Sequence, residues 1–209
     1  VTLLYRLFKG LGYEAGLLST IENRIGDRVV PSTHTTGDAL EINALLREMV
    51  NAGCGYAFME VSSHAVAQER IAGLHFTGAI FSNITRDHLD YHKTFDAYIK
   101  AKKKFFDNLP SSAFALVNAD DKNGLVMLQN TKASKYTYAL RVPADFKCRL
   151  IEDSLSGLHL EMDGTEVYMR LVGRFNAYNL TAIYATALLL DMDKMEVLQA
   201  MSSLGEAPG

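Results

Sequence analysis

The sequence predicts an α/β fold: a doubly wound, mostly parallel sheet with a small antiparallel β subregion near residues 148–172. Three observations predict it. Apolar strand-like runs at 56–61, 78–83 and 113–118 alternate with helical patterns, the signature of parallel strands joined by crossover helices. Each run ends in polar residues at its carboxyl end, among them Glu60, Asn83 and Asn118. Finally, Leu158, Leu160 and Met162 alternate, Asp163-Gly164 supplies a turn, and Val167, Met169 and Leu171 alternate back, which describes a hairpin.

The elements follow in order. Residues 1–8 are amphipathic and helical, closed by Gly10 and Gly12. Residues 15–20 suit a short strand, and 23–30 a hairpin turning near Gly26-Asp27. Asp38 can cap a helix that runs to about Asn51, with Gly53 and Gly55 after it. The three strand runs come next. Between the second and third lies a helix at 94–109: Thr94 caps it, Asp96 complements its dipole, and Asn108 and Pro110 stop it. A helix from about 178 to 190 and another at 193–203 close the chain. A nucleotide-binding sheet of this kind usually opens with a strand and a glycine-rich phosphate loop. This sequence opens on the helix that would follow them.

Bulk properties exclude several classes. A net charge of −3 favours neither nucleic acid nor an anionic membrane surface. The longest apolar stretch, 180–190, is too short to span a bilayer, and no signal-peptide pattern is present, so no membrane insertion is expected. Cys54 and Cys148 are far apart and in no ligand spacing. That argues against a disulfide framework and for a cytoplasmic location.

Polar strand ends matter because open α/β sheets bind ligands there. Any one such residue reads as a loop starter. Glu60, Asn83 and Asn118 together, with histidines and lysines nearby, point to a site. The run "MEVSSHAVAQER" (59–70) follows a carboxylate with Ser62, Ser63, His64, Gln68 and Arg70. In "SNITRDHLDYHKTF" (82–95), His88 and His92 stand four apart, as on a zinc-protease helix, but Leu89 occupies the place of the glutamate that helix needs. A metal-dependent hydrolase using His88, Asp90 and His92 is one reading, a polar capped loop a second, and a hard cation such as Mg2+ a third. In the 94–109 helix, Phe95, Tyr98, Phe105 and Leu109 form an apolar stripe that contains Lys102. Lys100, Lys103 and Lys104 point elsewhere and read as a solvated face. Lys102 either snorkels to water or sits in a site where desolvation exposes a nucleophilic amine. In "GRFNAYNLTAI" (173–183), Asn176 and Asn179 read either as a cap and a surface residue or as two carboxamides reading a base edge. Thr35 and Thr36, before the helix capped by Asp38, suit capping or an anionic ligand.

These pieces together resemble the Mur ligases, and within them the branch that adds the third residue of the peptidoglycan stem peptide. "HTTGDA", "MEVSSHAVAQER", "SNITRDHLDYH", "YIKAK", "VNADD" and "GRFNAYN" match that family in the same order, over essentially the whole chain. The resemblance implies that residues 1–209 are the P-loop-type central ATP-binding domain of a three-domain ligase, cut after the phosphate loop and before the C-terminal domain. Its partners would be the missing N- and C-terminal domains, and the domain alone would be inactive. The implied activity is ATP-dependent amide ligation, adding a diamino acid (meso-diaminopimelate or lysine) to UDP-MurNAc-L-Ala-D-Glu through an acyl phosphate. By the same resemblance Glu60 binds magnesium at the ATP phosphates, His88 binds a second magnesium, and Lys102 carries a carbamate formed from carbon dioxide. Thr35, Thr36, Ser62, Gln68 and Arg70 hold the muramoyl-peptide substrate, and Asn176 and Asn179 lie on the adenine side. His64 and Asp87 fall inside motifs without an assigned role. A non-catalytic nucleotide-binding module is the remaining alternative.

Overall fold

The computed structural model describes residues 1–31, 38–84 and 94–205. The chain folds as two compact units, Val1–Leu74 and His75–Gly205.

In the first unit, α1 (Thr2–Gly10) leads into β1 (Ala15–Leu18), then the hairpin β2 (Asn23–Ile25) and β3 (Arg28–Val30). After α2 (Ala39–Asn51) comes β4 (Tyr56–Met59), then the short α3 (Ser63–Ala67). The sheet order is β3-β2-β1-β4, with β1 and β4 parallel and the other pairs antiparallel. Helices cover both faces. Phe8 of α1 packs on Tyr56 and Phe58 of β4, with ring centroids 4.6 and 4.9 Å away. On the opposite face, Ile42 and Met49 of α2 join Leu18 and Ile25 in a common core. The cap predicted at Asp38 forms, and the structure extends it to a capping box: the Asp38 carboxylate accepts from the N–H groups of Leu40 and Glu41, and the Glu41 side chain accepts from the Asp38 N–H at 3.1 Å.

In the second unit, β5 (Gly78–Phe81) is separated from β6 (Phe114–Asn118) by α4 (Phe95–Asp107). Next come α5 (Gly124–Met127), β7 (Ser134–Ala139), β8 (Phe146–Ser154), β9 (Gly157–Met162) and β10 (Thr165–Met169). The chain continues through α6 (Arg174–Leu189) and α7 (Lys194–Ser202). The strands lie in sequence order, with β5 to β8 parallel and β8 to β10 antiparallel. Strand alternation sorts β6 between two cores. Ala115 and Val117 join Phe106, Leu109 and Met127 on one face, while Phe114 and Leu116 join Ala182 and Ala185 of α6 on the other.

The predicted α/β class therefore stands, with the antiparallel hairpin where expected. Its strands divide between two sheets: the 56–59 strand pairs with 15–18, while 78–81 and 114–118 pair with each other. Several elements escaped sequence reading, among them β7, α3 and the four-residue α5. β7 begins with exposed Ser134 and Lys135, so it lacks an apolar run at its start. The five-residue α3 is too short to show a period. Among the described residues no helix is long and apolar enough to cross a membrane.

Candidate functional site

The end of β4 is built by its parallel neighbour. The ladder continues one step past the strands, with the Glu60 N–H donating to the Leu18 carbonyl at 2.9 Å. That step brings Glu60 beside the turn after β1. There the Thr20 N–H donates to Glu60 Oε2 at 3.0 Å. The same turn is fixed by buried Ser19, whose hydroxyl donates to the Glu22 carbonyl at 2.7 Å. Glu60 is half-buried, so the strand end holds a carboxylate in a set orientation without closing it off.

Downstream, Ser62 caps α3 by accepting from the Ala65 N–H at 3.1 Å. The cap uses a lone pair of the Ser62 hydroxyl and leaves its proton available as a donor. The helix ends in a paired turn. The Glu69 N–H reaches the Val66 carbonyl, and the Arg70 N–H reaches the Ala65 carbonyl at 2.9 Å. Glu69 takes φ 55° where such turns favour glycine. This left-handed residue folds the chain back, so Arg70 returns alongside the helix as a half-buried cation. Gln68 is exposed at the helix end. Ser62, Gln68 and Arg70 thus decorate one short helix immediately after Glu60.

In the second unit, the helix predicted at 94–109 is α4, with Thr94 accepting from the Ala97 N–H at 3.2 Å. Lys102 lies half-buried, its Nζ 5.5 Å from the centroid of the Tyr98 ring. Burial lowers the pKa of its ammonium from the usual lysine value, because an apolar setting disfavours charge. Lys103 requires a correction. Its side chain is only 12% exposed and pairs with Asp107 at 2.5 Å, one helical turn on. The wheel angle that set Lys103 off the apolar stripe says nothing of an ion pair at i,i+4. Lys100 and Lys104 are exposed, as expected.

The ends of β5 and β6 are tied together. Asn118 donates to the Ser82 carbonyl at 2.9 Å and accepts from the Asp120 N–H at 3.0 Å. Asp121 accepts from the Ile84 N–H at 3.2 Å. Gly124 must be glycine, since a Cβ there would lie 2.0 Å from the Asn118 carbonyl oxygen. Asp120 is a structural anchor that sequence reasoning missed. Its side chain is 2% exposed and accepts from the N–H groups of Leu140, Arg141 and Val142, and from the Tyr178 hydroxyl. Burial alone would raise its pKa; those donors outweigh burial and hold it below the usual carboxylate value.

Asn176 and Asn179 lie on the first turns of α6. The helix starts at Arg174, four residues earlier than the pattern suggested, and Gly173 precedes it with φ 87°. Asn176 is therefore no cap. Its Nδ2 donates to the Val172 carbonyl at 2.9 Å, and its Oδ1 accepts from Asn179 Nδ2 at 3.2 Å. The two carboxamides form a half-buried, mutually oriented pair.

Thr35, Thr36, Asp87, His88, Asp90 and His92 lie outside the described residues. Among the described residues, no three His, Cys, Asp or Glu side chains gather as a metal site.

Both units are of α/β build, the class of fold in which ligands bind outside the carboxyl ends of the strands. The chain belongs to the Mur ligase middle domain family, whose model matches residues 1–187. It is 62% identical over 209 residues to the UDP-N-acetylmuramoyl-L-alanyl-D-glutamate--2,6-diaminopimelate ligase of Cytophaga hutchinsonii, and 57% identical over 208 residues to that of Parabacteroides distasonis. Each match covers 100% of this chain and 43% of the relative, so the chain spans less than half the length of the curated relatives it matches. A solved structure of a ligase of the same name superposes with a TM-score of 0.91 at 30% identity, over 100% of this chain and 44% of the other. MurF from Acinetobacter baumannii shares the fold, with a TM-score of 0.74 at 18% identity, over 100% of this chain and 44% of that one.

Proposed function

We propose that residues 1–209 form the central ATP-binding domain of a cytoplasmic, ATP-dependent amide ligase of peptidoglycan precursor synthesis. The enzyme joins a diamino acid to UDP-MurNAc-L-Ala-D-Glu. The observation that carries this reading is the 62% identity, over the full chain, to a relative named for that ligation. The names of the relatives favour 2,6-diaminopimelate over lysine as the incoming amine. The relatives that carry this reading are more than twice as long as the matched region, which covers 43% of each.

The reaction transfers the γ-phosphoryl group of ATP to the D-glutamate carboxylate. The amine then attacks the acyl carbon, the C–N bond forms, and phosphate leaves. Bound magnesium would offset charge on the phosphoryl oxygens. Magnesium takes oxygen ligands and keeps several waters, and Glu60 fits that demand as a half-buried carboxylate oriented by the Thr20 N–H. His88 is assigned to the second ion on its motif. Lys102 fits the carbamate role on its chemistry. Its neutral amine attacks carbon dioxide, a N–C bond forms and a proton is released to solvent. Desolvation raises the share of that neutral amine.

The Ser62 proton, the Gln68 amide and the Arg70 guanidinium suit the hydroxyls, carbonyls and carboxylates of a muramoyl peptide. Thr35 and Thr36 are assigned to the same substrate. Asn176 and Asn179 present both donors and acceptors, which suits the edge of adenine.

The test is to express the complete protein and assay phosphate release with UDP-MurNAc-L-Ala-D-Glu, ATP and magnesium, adding 2,6-diaminopimelate or lysine in turn. Release that depends on 2,6-diaminopimelate, with the amide product seen by mass spectrometry, supports the reading. Release dependent on neither amine contradicts it.

A further inference from the structure

The hydrogen bond between Asp120 and Tyr178 joins two motifs that are 58 residues apart. Tyr178 stands between Asn176 and Asn179 on the first turns of α6, and its hydroxyl donates to Asp120 Oδ2 at 2.9 Å. Asp120 is not a mobile partner. It lies two residues beyond the end of β6, its N–H held by Asn118 Oδ1. The same Oδ2 accepts from Leu140 at 2.8 Å and Arg141 at 2.9 Å, and Oδ1 accepts from Val142 at 3.0 Å. Arg141 also approaches, with Nε 3.8 Å from Oδ1 and a guanidinium N–H donating to the Asp120 carbonyl at 3.3 Å. One carboxylate therefore gathers the end of β6, the connection between β7 and β8, and the start of α6.

We propose that the Asp120–Tyr178 pair is a positioning device for nucleotide recognition, setting the first turn of α6 so that Asn176 and Asn179 meet the base at fixed register. The inference rests on the reading that these asparagines contact adenine. Three features carry it. Gly173 starts α6 with no side chain to cap it; its N–H is held by Asp153 Oδ1 at 3.1 Å, which ties the residue before the helix and leaves the turn bearing the asparagines to further contacts. Asn176 and Asn179 orient each other, and among the described residues the hydrogen bond that their carboxamides make beyond the pair goes to the Val172 carbonyl, just ahead of the helix. The Tyr178 hydroxyl links that turn directly to the carboxyl end of β6. Tyr178 and Asp120 are positioning residues here; neither is assigned a contact with the nucleotide.

A second tyrosine–aspartate bond supplies an internal control. Tyr184, further along α6, donates to Asp163 Oδ2 at 2.8 Å, in the turn between β9 and β10. It braces the same helix away from the asparagines.

The experiment uses the complete ligase with saturating co-substrates. KM for ATP, kcat, and the ratio of kcat/KM for ATP over GTP are measured for Tyr178→Phe, Tyr184→Phe and Asn179→Ala, with Tm recorded for each. Tyr178→Phe is expected to raise KM for ATP about tenfold, the size of one lost charge-assisted hydrogen bond. It should leave kcat within about twofold and shrink the ATP-over-GTP ratio, whereas Tyr184→Phe should lower Tm without moving KM or the ratio. The base-selectivity ratio separates positioning from general loosening. If Asn179→Ala weakens ATP but Tyr178→Phe leaves KM and selectivity unchanged, the proposal fails while the adenine reading stands. If Tyr184→Phe shifts KM and selectivity as much as Tyr178→Phe, the effect is general and the proposal fails. If Asn179→Ala changes neither quantity, the adenine reading fails and the proposal falls with it.

Discussion

At the carboxyl end of β4, Glu60 is half-buried, and among the described residues its carboxylate takes its hydrogen bond from the Thr20 N–H. At the carboxyl end of β6, Asp120 is closed off from water and accepts from three backbone N–H groups and a tyrosine hydroxyl. Both are acids just past the end of a parallel strand, where ligands bind in sheets of this class. The first is oriented but left with capacity to meet a ligand. The second is saturated by its own chain and holds three segments together. A strand-end acid is thus ligand-facing or scaffold according to how many of its lone pairs the protein already occupies.

That contrast can be broken by mutation. The largest expected effect is on turnover at the β4 end. Glu60→Ala in the complete ligase should lower kcat by on the order of 10²–10³, the range for removing one preorganised electrostatic group. Its Tm should move by only a few degrees, since a half-exposed group with one hydrogen bond contributes about 1 kcal/mol. Retained kcat would take Glu60 out of the site.

Lys102, proposed above to carry a carbamate, sharpens the comparison, because a group held in a site can cost stability. Lys102→Met should abolish most of the turnover, with a small carboxylate added to Lys102→Ala restoring part of it. With carbon dioxide excluded, so that the amine is unmodified, the same Lys102→Met change should raise Tm. The sign follows from linkage. The ammonium of Lys102 has a folded-state pKa below its unfolded value of 10.5, so the unfolded chain holds more protons between the two. The penalty is fully present below the folded pKa and fades as pH rises towards 10.5. The Tm gain of Lys102→Met should therefore shrink between neutral pH and about pH 10.5. Thermal scans across that range check it, and a gain that grows with pH would contradict it.

Asp120→Ala should cost on the order of 3 kcal/mol, because it leaves several buried donors unpaired. With its folded pKa held below 3.8, Asp120 stabilises the fold above that value, and this contribution is lost as pH falls through the lower folded pKa. The difference in Tm between the native protein and Asp120→Ala should accordingly narrow in acid. The smallest effects are those of the neighbouring lysines. Lys103→Ala breaks its pair with Asp107 and should cost about 0.5–1 kcal/mol. Lys100→Ala should stay within about 0.5 kcal/mol, as exposed changes do. Denaturant titration resolves the two.

What the sequence disclosed and what it hid divide along the same physical line. Local signals were legible. Asp38 and Thr94 read as caps, and each closes its bond within one turn. The polar end of β4, and the angle that put Lys102 in an apolar stripe, follow from the pleat and the helical period. Non-local satisfaction was not legible. The donors to Asp120 come from residues 140–142 and 178, and no spacing in "VNADD" announces them. The Lys103 pair was missed because helical angle registers apolar packing and not charge. The start of α6 was misjudged because Gly173 caps it without a side chain, and a positive-φ turn leaves little pattern.

The most direct test sets Glu60→Ala beside Asp120→Ala in the complete ligase, measuring kcat for phosphate release at saturating ATP and Tm on the same preparations. The account predicts opposite outcomes. Glu60→Ala loses on the order of 10² or more in kcat with its Tm nearly unchanged, while Asp120→Ala loses several degrees of Tm yet keeps most of its kcat when ATP saturates. If Glu60→Ala instead unfolds the protein and keeps kcat per folded molecule, or if the two variants lose turnover and stability in the same proportion, the distinction between a ligand-facing and a scaffold strand end is wrong.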